Sequence, residues 1–284
     1  MQPQAGGYAL QSPLVKNKTE TARRMNSWIY SIDSHTGRVR CANEDSYVAN
    51  PQAGYWLIAD GMGGHAAGDV ASQLACQACS DALAQGTSIE RAIEIAHRAV
   101  RQAIEQGLGA PNMGTTIVVA TIRGNQLEIG WIGDSRAYVY NGFHLRQLSR
   151  DHSYVQSLVD MGTITPAEAL RHPERNVIMQ SLGASDEKAL EIGRVSYTLK
   201  RNDRVLLCSD GLSSELSHSQ LSTLLRKHID PNTAVAQLID AALTAGGKDN
   251  ITCAVIQRAE CSQPPASSWF RAQLARLQEI LKLS

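Results

Sequence analysis

Two apolar runs of the chain end in the same way, on an aspartate followed by a glycine. Residues 55–59 lead into Asp60-Gly61, and residues 204–209 lead into Asp210-Gly211. Short runs rich in aromatic and β-branched residues predict buried strands, and a glycine lets the backbone turn sharply after each one. Two buried strands that each deliver a carboxylate predict acids converging at one place. Because buried like charges repel, such a cluster predicts a cation site.

Helical spacing follows the first of these strands. We predict a helix over about residues 66–83 and a second helix that a capping box, Thr87-Ser88-Ile89-Glu90, opens and Gly107 closes. His97 lies in the apolar stripe of the second helix, where we expect a hydrogen-bonded core histidine rather than a metal ligand.

From residue 115 the pattern changes to period two, which predicts strands. The turn Asn141-Gly142 predicts a two-residue hairpin, so the region is interpreted as an antiparallel meander that Gly133-Asp134-Ser135-Arg136 interrupts. Residues 151–183 are less regular and are interpreted as a flap, with a helix start at Thr165-Pro166-Ala167-Glu168. The predicted strands are 27–33, 115–122, 127–132, 135–140, 144–148, 190–197, 204–209 and 251–256, and later helices are 219–227 and 233–245.

Composition shifts predict one folded domain over residues 27–258 between two less regular ends. Residues 1–26 are polar and are interpreted as a tail. Residues 259–284 begin with a proline-containing linker and continue as an amphipathic helix with Phe270, Leu274, Leu277 and Leu281 on one face. That face is expected either to dock on the domain or to bind a partner.

The bulk composition excludes several classes of protein. The 27 basic and 27 acidic residues balance to a net charge of +0, so nothing favours nucleic acid or anionic lipid. No apolar run approaches the ~18 residues of a membrane span, and the start of the chain does not resemble a signal peptide. The six cysteines are scattered, which predicts a reducing, cytoplasmic location.

Two short motifs are interpreted as accidental. Gly61-Met62-Gly63-Gly64 with Ala66 matches a dinucleotide-binding fingerprint, but a second helix follows where the βαβ unit needs a strand. Cys76 and Cys79 form a lone CxxC inside a helix, without a second pair for zinc, and are expected to pack in the core.

The acids at strand ends or turns, including Asp60 and Asp210, offer oxygen ligands, and no histidine or cysteine residues cluster with them. Such a set suits Mg²⁺ or Mn²⁺ rather than Zn²⁺. Two such ions ~4 Å apart can share a carboxylate and activate a bridging water, and a phosphate ester beside an arginine is the natural substrate. Arg38 and Arg40 are consistent with such an anion clamp, or equally with a solvated surface. The acids are Glu44, Asp45, Asp60, Asp134, Asp210 and Asp249.

Six motifs in order make the chain resemble the metal-dependent protein phosphatases, the PPM or type 2C family, and its bacterial branch most closely. The resemblance covers residues 27–258. It implies an α+β, four-layer α/β/β/α sandwich of two mainly antiparallel sheets flanked by helix pairs, and hydrolysis of phosphoserine and phosphothreonine in proteins. The motifs are Arg40-x-x-Asn43-Glu44-Asp45, Asp60-Gly61-Met62-Gly63-Gly64-His65, Met113-Gly114-Thr115-Thr116, Gly133-Asp134-Ser135-Arg136, Ser209-Asp210-Gly211 and Lys248-Asp249-Asn250.

The resemblance also implies a role for each residue of the site. Asp60 bridges two metals, the Gly61 carbonyl helps to bind one of them, and Asp210 and Asp249 complete one metal's shell. Glu44 and Asp45 act mainly through metal-bound waters, and Arg40 clamps the phosphate. Asp134, with Asp210, holds a third, weaker metal.

The general acid is the one role that the motifs leave open. Met62 stands where eukaryotic members have a histidine proposed as the acid, a change that bacterial members share. His65 is therefore a candidate for the leaving-group acid, beside metal-bound water or a purely structural role for that histidine.

An active phosphoprotein phosphatase, acting as a monomer and opposing a serine/threonine kinase, is the leading hypothesis. A small-molecule phosphomonoesterase is the nearest chemical alternative, because the metal site does not choose the leaving group. A catalytically dead binding protein is expected to have lost at least one of Asp60, Asp210 or Asp249, and all three are present. An oxidoreductase depends on the glycine fingerprint alone. The cation is Mn²⁺ or Mg²⁺, and the sequence favours neither.

Overall fold

The computed structural model describes residues 28–63, 67–184 and 190–259. The strands are β1 (Trp28–His35), β2 (Asp45–Asn50), β3 (Tyr55–Met62), β4 (Gly114–Thr115), β5 (Ile117–Arg123), β6 (Gln126–Ile132), β7 (Arg136–Tyr140), β8 (Leu145–Gln147), β9 (Gly193–Thr198), β10 (Arg204–Cys208) and β11 (Ile251–Arg258). The helices are α1 (Ala67–Ala84), α2 (Ile89–Glu105), α3 (Tyr154–Asp160), α4 (Pro166–Ala169), α5 (Asp210–Ser213), α6 (His218–Lys227) and α7 (Pro231–Ala245).

These strands form two sheets in which neighbouring strands run antiparallel. The first sheet has the order β1-β11-β10-β7-β8, and the second has the order β2-β3-β5-β6-β9 with β4 paired to the end of β3. The central strands β10 and β11 of the first sheet and β3 and β5 of the second are the apolar runs of the sequence. These strands are apolar without polar alternation because both faces of each strand are buried.

The two faces of these strands belong to different cores. In β3, Trp56 and Ile58 point into the core between the sheets, whereas Leu57 packs beneath α1 and α2. In β10, Leu207 points between the sheets and Leu206 packs beneath α5, α6 and α7. Four layers result, in the order helix, sheet, sheet, helix, and the predicted α/β/β/α sandwich is confirmed.

The interpretation of the two hairpins as one antiparallel meander is the wrong part of the strand prediction. The hairpins β5–β6 and β7–β8 form as expected, but they belong to different sheets. Residues 133–135 carry the chain from one sheet to the other, and Gly133 makes this possible with φ +99°. An ideal Cβ on Gly133 would lie 2.6 Å from the Thr116 side chain, so no larger residue fits at this crossing.

Smaller differences concern helix ends. Ser88, rather than the predicted box that begins at Thr87, caps α2 by accepting a hydrogen bond from Arg91 N. The predicted capping box at Thr165 and Glu168 is present at α4. The hydrophobic pattern does not predict α5, because four residues are too few to show a helical period.

Several predictions lie outside the described residues. They concern the N-terminal tail 1–26, His65 and the C-terminal helix with its linker 260–284. Within the described ranges, no helix combines the length and apolar character that crossing a membrane requires.

Candidate metal centre

Five aspartates from both sheets converge at one end of the sandwich. Asp45 and Asp60 are directly opposite each other across β2 and β3. Asp210 begins α5 immediately beyond β10, and Asp249 lies two residues before β11. Asp134 lies where the chain crosses from β6 to β7. β3, β6 and β10 finish, and β2, β7 and β11 begin, at this end of the sandwich. The topology therefore brings together acids that lie up to 204 positions apart, from 45 to 249.

Asp60 and Asp210 are the centre of this cluster. Burial raises the pKa of Asp60 well above its usual range, and the charges of Asp45 and Asp210 raise it further. Burial, then the charge of Asp249, raises the pKa of Asp210 to about 6, although a hydrogen bond with Asp60 lowers it. Ionising both of two carboxyl groups within hydrogen-bonding distance costs free energy, because the two negative charges repel. Without a cation they therefore favour a shared proton.

Asp45 is buried and held by hydroxyl groups of the first sheet. Its Oδ2 accepts hydrogen bonds from Thr252 Oγ1 at 2.6 Å and from Ser209 Oγ at 2.9 Å. These bonds lower its pKa, but burial outweighs them and raises it to about 7. Its Oδ1 is buried without a hydrogen-bond partner among the described residues. One oxygen of Asp45 is therefore fixed by the protein, and the other is available to a ligand.

Asp134 has a similar surplus oxygen beside a strong ion pair. Burial, then the charge of Asp210, raises the pKa of Asp134 to about 8. Its Oδ1 is buried, and no described residue hydrogen-bonds to it. Nearby, Arg136 donates from Nε and Nη2 to both oxygens of Asp151, with a shortest distance of 2.6 Å. This bidentate pair commits the arginine to Asp151, the first residue of the flap, rather than to Asp134.

Glycines allow the backbone to approach this site closely. An ideal Cβ on Gly61 would lie 2.0 Å from the Gly68 carbonyl oxygen in α1. An ideal Cβ on Gly211 would lie 2.0 Å from the Asn250 carbonyl oxygen. Real Cβ contacts are never so short, so both Asp-Gly pairs need glycine for packing as well as for the turn.

Asn250 fixes the loop that carries Arg40 and Glu44. Its side chain accepts a hydrogen bond from Glu44 N at 2.8 Å and donates to the carbonyl oxygens of Thr36 at 2.8 Å and Ala42 at 2.9 Å. The Glu44 carbonyl in turn accepts from Gly61 N at 3.2 Å. The loop between β1 and β2 is thus attached to both sheets at the acidic end.

Arg40 is the cation at the rim of the cluster. Its exposed guanidinium donates from Nη2 to Asp249 Oδ2 at 2.7 Å. The hydrogen bond and the charge of Asp249 raise the pKa of Arg40, and the charges of Glu44 and Asp60 add to this. A guanidinium that is half exposed beside a carboxylate cluster can turn to an incoming anion.

The donor set fits a hard divalent cation. The acids offer oxygen atoms only, and two of these oxygens are buried without hydrogen-bond partners among the described residues. Burial and neighbouring charges raise the pKa values of four of the acids, namely Asp45, Asp60, Asp134 and Asp210. No three His, Cys, Asp or Glu side chains in the described ranges stand as a ready-made cage. This does not disagree with Mg²⁺ or Mn²⁺ chemistry, because such ions keep several waters and use few carboxylates each.

Sequence reasoning missed the residues that hold the acids in place. Ser209, Asn250 and Thr252 donate the hydrogen bonds described above. Ser209 and Asn250 directly flank the predicted ligands Asp210 and Asp249, which is the available signal, whereas Thr252 lies three residues beyond Asp249. Two other predictions are confirmed. His97 is buried and accepts a hydrogen bond from Gly183 N at 3.2 Å, and Cys76 and Cys79 lie on the buried face of α1, in the core.

Comparison with known proteins gives consistent results. The family model described as Protein phosphatase 2C matches residues 34–245. The serine/threonine protein phosphatase PstP of Mycobacterium tuberculosis is 40% identical over 238 residues, which are 80% of this chain but only 44% of that protein. The serine/threonine phosphatase stp of Listeria monocytogenes is 33% identical over 78% of this chain and 92% of its own length. A crystal structure of the PstP catalytic domain in complex with two manganese ions superposes with a TM-score of 0.73, at 35% identity over 81% of this chain and 97% of that one. The chain thus spans less than half the length of its mycobacterial relative.

Proposed function

Because the chain belongs to the protein phosphatase 2C family, we propose that it is a metal-dependent phosphatase that hydrolyses phosphoserine and phosphothreonine in proteins. Relatives of 40% and 33% identity are serine/threonine phosphatases. The two-manganese structure of PstP supports a site for two ions.

The observation that carries the proposal is the contact between the carboxyl groups of Asp60 and Asp210. They lie within hydrogen-bonding reach in a buried cluster whose other members are also acids. Such an arrangement costs free energy in a protein without a cation, since like charges repel strongly in a low dielectric. A divalent cation between the two groups removes that cost.

We assign the residues as follows. Asp60, the Gly61 carbonyl and the carboxylates of Asp210 and Asp249 would hold the two ions, with Asp60 shared between them, and Glu44 and Asp45 would hold waters of their hydration shells. Asp134 with Asp210 holds a third, weaker ion, for which the unpartnered Asp134 Oδ1 is the support. When bound, the ions supply electrostatic stabilisation of the phosphoryl oxygens and lower the pKa of a water that attacks phosphorus.

Arg40 binds the phosphate of the substrate. Its side chain is half exposed beside the cluster, and its planar fork matches two phosphoryl oxygens. To do so, Arg40 would release the carboxylate of Asp249, which would then be available to bind an ion. The leaving-group acid is His65 or a water of the site. The turnover of His65→Gln with a poor alcohol leaving group, compared with p-nitrophenyl phosphate, distinguishes the two. A poor alcohol leaving group needs a proton, whereas p-nitrophenolate does not.

The partners of this activity are proposed from chemistry and relatives. The substrates are proteins phosphorylated on serine or threonine, a kinase of the same specificity supplies them, and the enzyme acts as a cytoplasmic monomer. Mn²⁺ and Mg²⁺ both suit the oxygen donors. Residues 259–284, predicted as a linker and an amphipathic helix, lie beyond the matched residues 34–245 and would either dock on the domain or bind a partner.

The test compares hydrolysis of a phosphothreonine peptide with that of p-nitrophenyl phosphate, with Mn²⁺ and with chelator, for wild type and Asp210→Asn. We expect manganese-dependent turnover that the substitution reduces by at least about 100-fold, and a higher kcat/KM for the peptide. Asp240→Asn, an exposed substitution in α7, is the matched control and keeps full activity. A folded wild-type protein without turnover in either metal contradicts the proposal.

A further inference from the structure

Two adjacent threonines, Thr115 and Thr116, hold the backbone of Asp60. Both residues are fully buried. Thr116 N donates to the Asp60 carbonyl at 2.9 Å, and Asp60 N donates to Thr116 Oγ1 at 3.1 Å. Thr115 Oγ1 donates to the same Asp60 carbonyl at 2.8 Å. The two threonines therefore fix the point from which the carboxyl group of Asp60 extends.

Thr116 also contacts both chain neighbours of Asp134. Its Oγ1 lies 2.8 Å from the Oγ of buried Ser135, in a hydrogen bond that either hydroxyl can donate. Its Cγ2 methyl group faces Gly133, where an ideal Cβ would lie 2.6 Å from that methyl group. Gly133 and Ser135 flank Asp134 in the crossing from β6 to β7. The side chain of Thr116 thus lies between the backbone of Asp60 in one sheet and the crossing to the other sheet.

The hydroxyl hydrogens distinguish Thr116 from Thr115. Thr116 Oγ1 accepts from Asp60 N, so its own hydrogen can be donated to Ser135 Oγ. A chain of hydrogen bonds then joins Asp60 N to Ser135. The hydroxyl hydrogen of Thr115 is instead shared between the carbonyl oxygens of Asp60 and Thr116, at 2.8 and 2.9 Å. Thr115 therefore supports Asp60 without donating to the crossing.

The side chain of Asp134 depends on the backbone that carries it. Its Oδ1 is buried, and no described residue hydrogen-bonds to this oxygen. The nearby guanidinium of Arg136 is committed to Asp151. The direction of the Oδ1 atom is consequently set by the crossing, which Thr116 contacts on either side of Asp134. Groups behind a metal ligand that fix its orientation contribute strongly to metal affinity.

We propose that Thr116 is a positioning residue for the third, weaker ion, because it holds Asp134, through Gly133 and Ser135, at a fixed place relative to Asp60. Loss of its hydroxyl weakens that ion more than the two ions at Asp60, since the Thr116 backbone N–H and the hydroxyl of Thr115 still hold Asp60. The proposal rests on the metal-dependent phosphatase function proposed above and adds to it the side chain that links the two parts of the metal site.

The experiment counts the Mn²⁺ ions bound by the full chain, without substrate, from the electron paramagnetic resonance signal of the free ion. We expect Thr116→Val, which has nearly the same shape, to raise the Kd of the weakest ion by about 10-fold and those of the other ions by less than about 3-fold. Ser135→Ala removes the other hydroxyl of the pair and should have the same effect. Thr116→Ser keeps the hydroxyl and should bring the Kd of the weakest ion back to within about 3-fold of wild type.

Thr115→Val is the matched control, because it removes a buried hydroxyl that holds Asp60 but not the crossing. It should change the Kd of the weakest ion by less than about 2-fold. Circular dichroism in chelator checks that each variant is folded, and Ser135→Ala decides the question if Thr116→Val does not fold. Equal weakening of the weakest ion in the two valine variants overturns the positioning role. A wild type that binds two Mn²⁺ ions and no third also overturns it, while the phosphatase function stands. A folded wild type that binds no Mn²⁺ removes both proposals.

Discussion

Replacement of Asp210 by asparagine is expected to stabilise the metal-free protein while it removes the response to metal. Asp210 lies against Asp60 in a buried acidic cluster, and its pKa is raised from 3.8 to about 6. A carboxyl whose pKa is higher in the folded than in the unfolded chain opposes folding once the pH exceeds the unfolded value. At neutral pH this raised pKa lowers the free energy of unfolding by roughly 3 kcal/mol. Asparagine removes the charge but still needs hydrogen-bond partners, so we expect the free energy of unfolding of the metal-free protein to rise by about 1–3 kcal/mol.

Thermal unfolding in chelator and in excess Mn²⁺ measures this. In chelator near neutral pH, Asp210→Asn should melt roughly 2–8 °C above wild type. In excess Mn²⁺ the order should reverse, because an ion present at 100 times its Kd stabilises the wild type by about 2.7 kcal/mol and the variant has lost a ligand. The advantage in chelator should shrink as the pH falls below about 6 and should disappear only below about pH 3, where the carboxyl is protonated in both states.

The reversal separates this explanation from a general effect of the substitution. Asp240→Asn, made on the exposed face of α7, should change neither melting temperature. If Asp210→Asn melts below wild type in chelator at neutral pH, Asp210 is not an uncompensated charge, and the argument for a cation site loses its main support.

Three further changes test other contacts. Thr252→Val removes the 2.6 Å hydrogen bond to buried Asp45 and should lower the free energy of unfolding by about 1.5–3 kcal/mol, measured in urea. Arg40→Gln should raise KM for a phosphopeptide and weaken phosphate inhibition by roughly 10-fold, yet change stability by less than about 0.5 kcal/mol because its ion pair is exposed. Gly61→Ala forces a Cβ to 2.0 Å from a carbonyl oxygen of α1 and should cost more than about 2 kcal/mol or prevent folding, as circular dichroism would show.

Local chemistry explains why the sequence predicted the central acids. The runs before Asp60 and Asp210 are apolar without alternation because both faces of β3 and β10 are buried. A glycine after each aspartate is required by close backbone contacts as well as by the turn. Both signals lie within a few residues of the acid, so they are visible without knowledge of the fold.

Tertiary partners explain what the sequence did not show. The hairpins β5–β6 and β7–β8 have the same local pattern whether they share a sheet or not. Only the chain crossing at Gly133 places them in different sheets. Thr252 lies 207 positions from Asp45, to which it donates, and in a strand a threonine is an ordinary residue. Its role depends on a pairing between distant strands that no local pattern records.

Hydrogen bonds and ion pairs stabilise the negative charges of the acids to different extents. The acids are therefore expected to contribute unequally to metal affinity. Asp45 has one oxygen satisfied by Thr252 and Ser209, and Asp249 has an ion pair with Arg40. For Asp60, the charges of its neighbours only add to the effect of burial, and the hydrogen bond with Asp210 requires a shared proton. A cation therefore relieves most electrostatic free energy at Asp60 and Asp210, whereas at Asp249 it must first displace a guanidinium. Manganese affinity measured by calorimetry should fall further in Asp60→Asn than in Asp45→Asn, and equal losses would show that the hydroxyl groups on Asp45 do not lessen its demand for a cation.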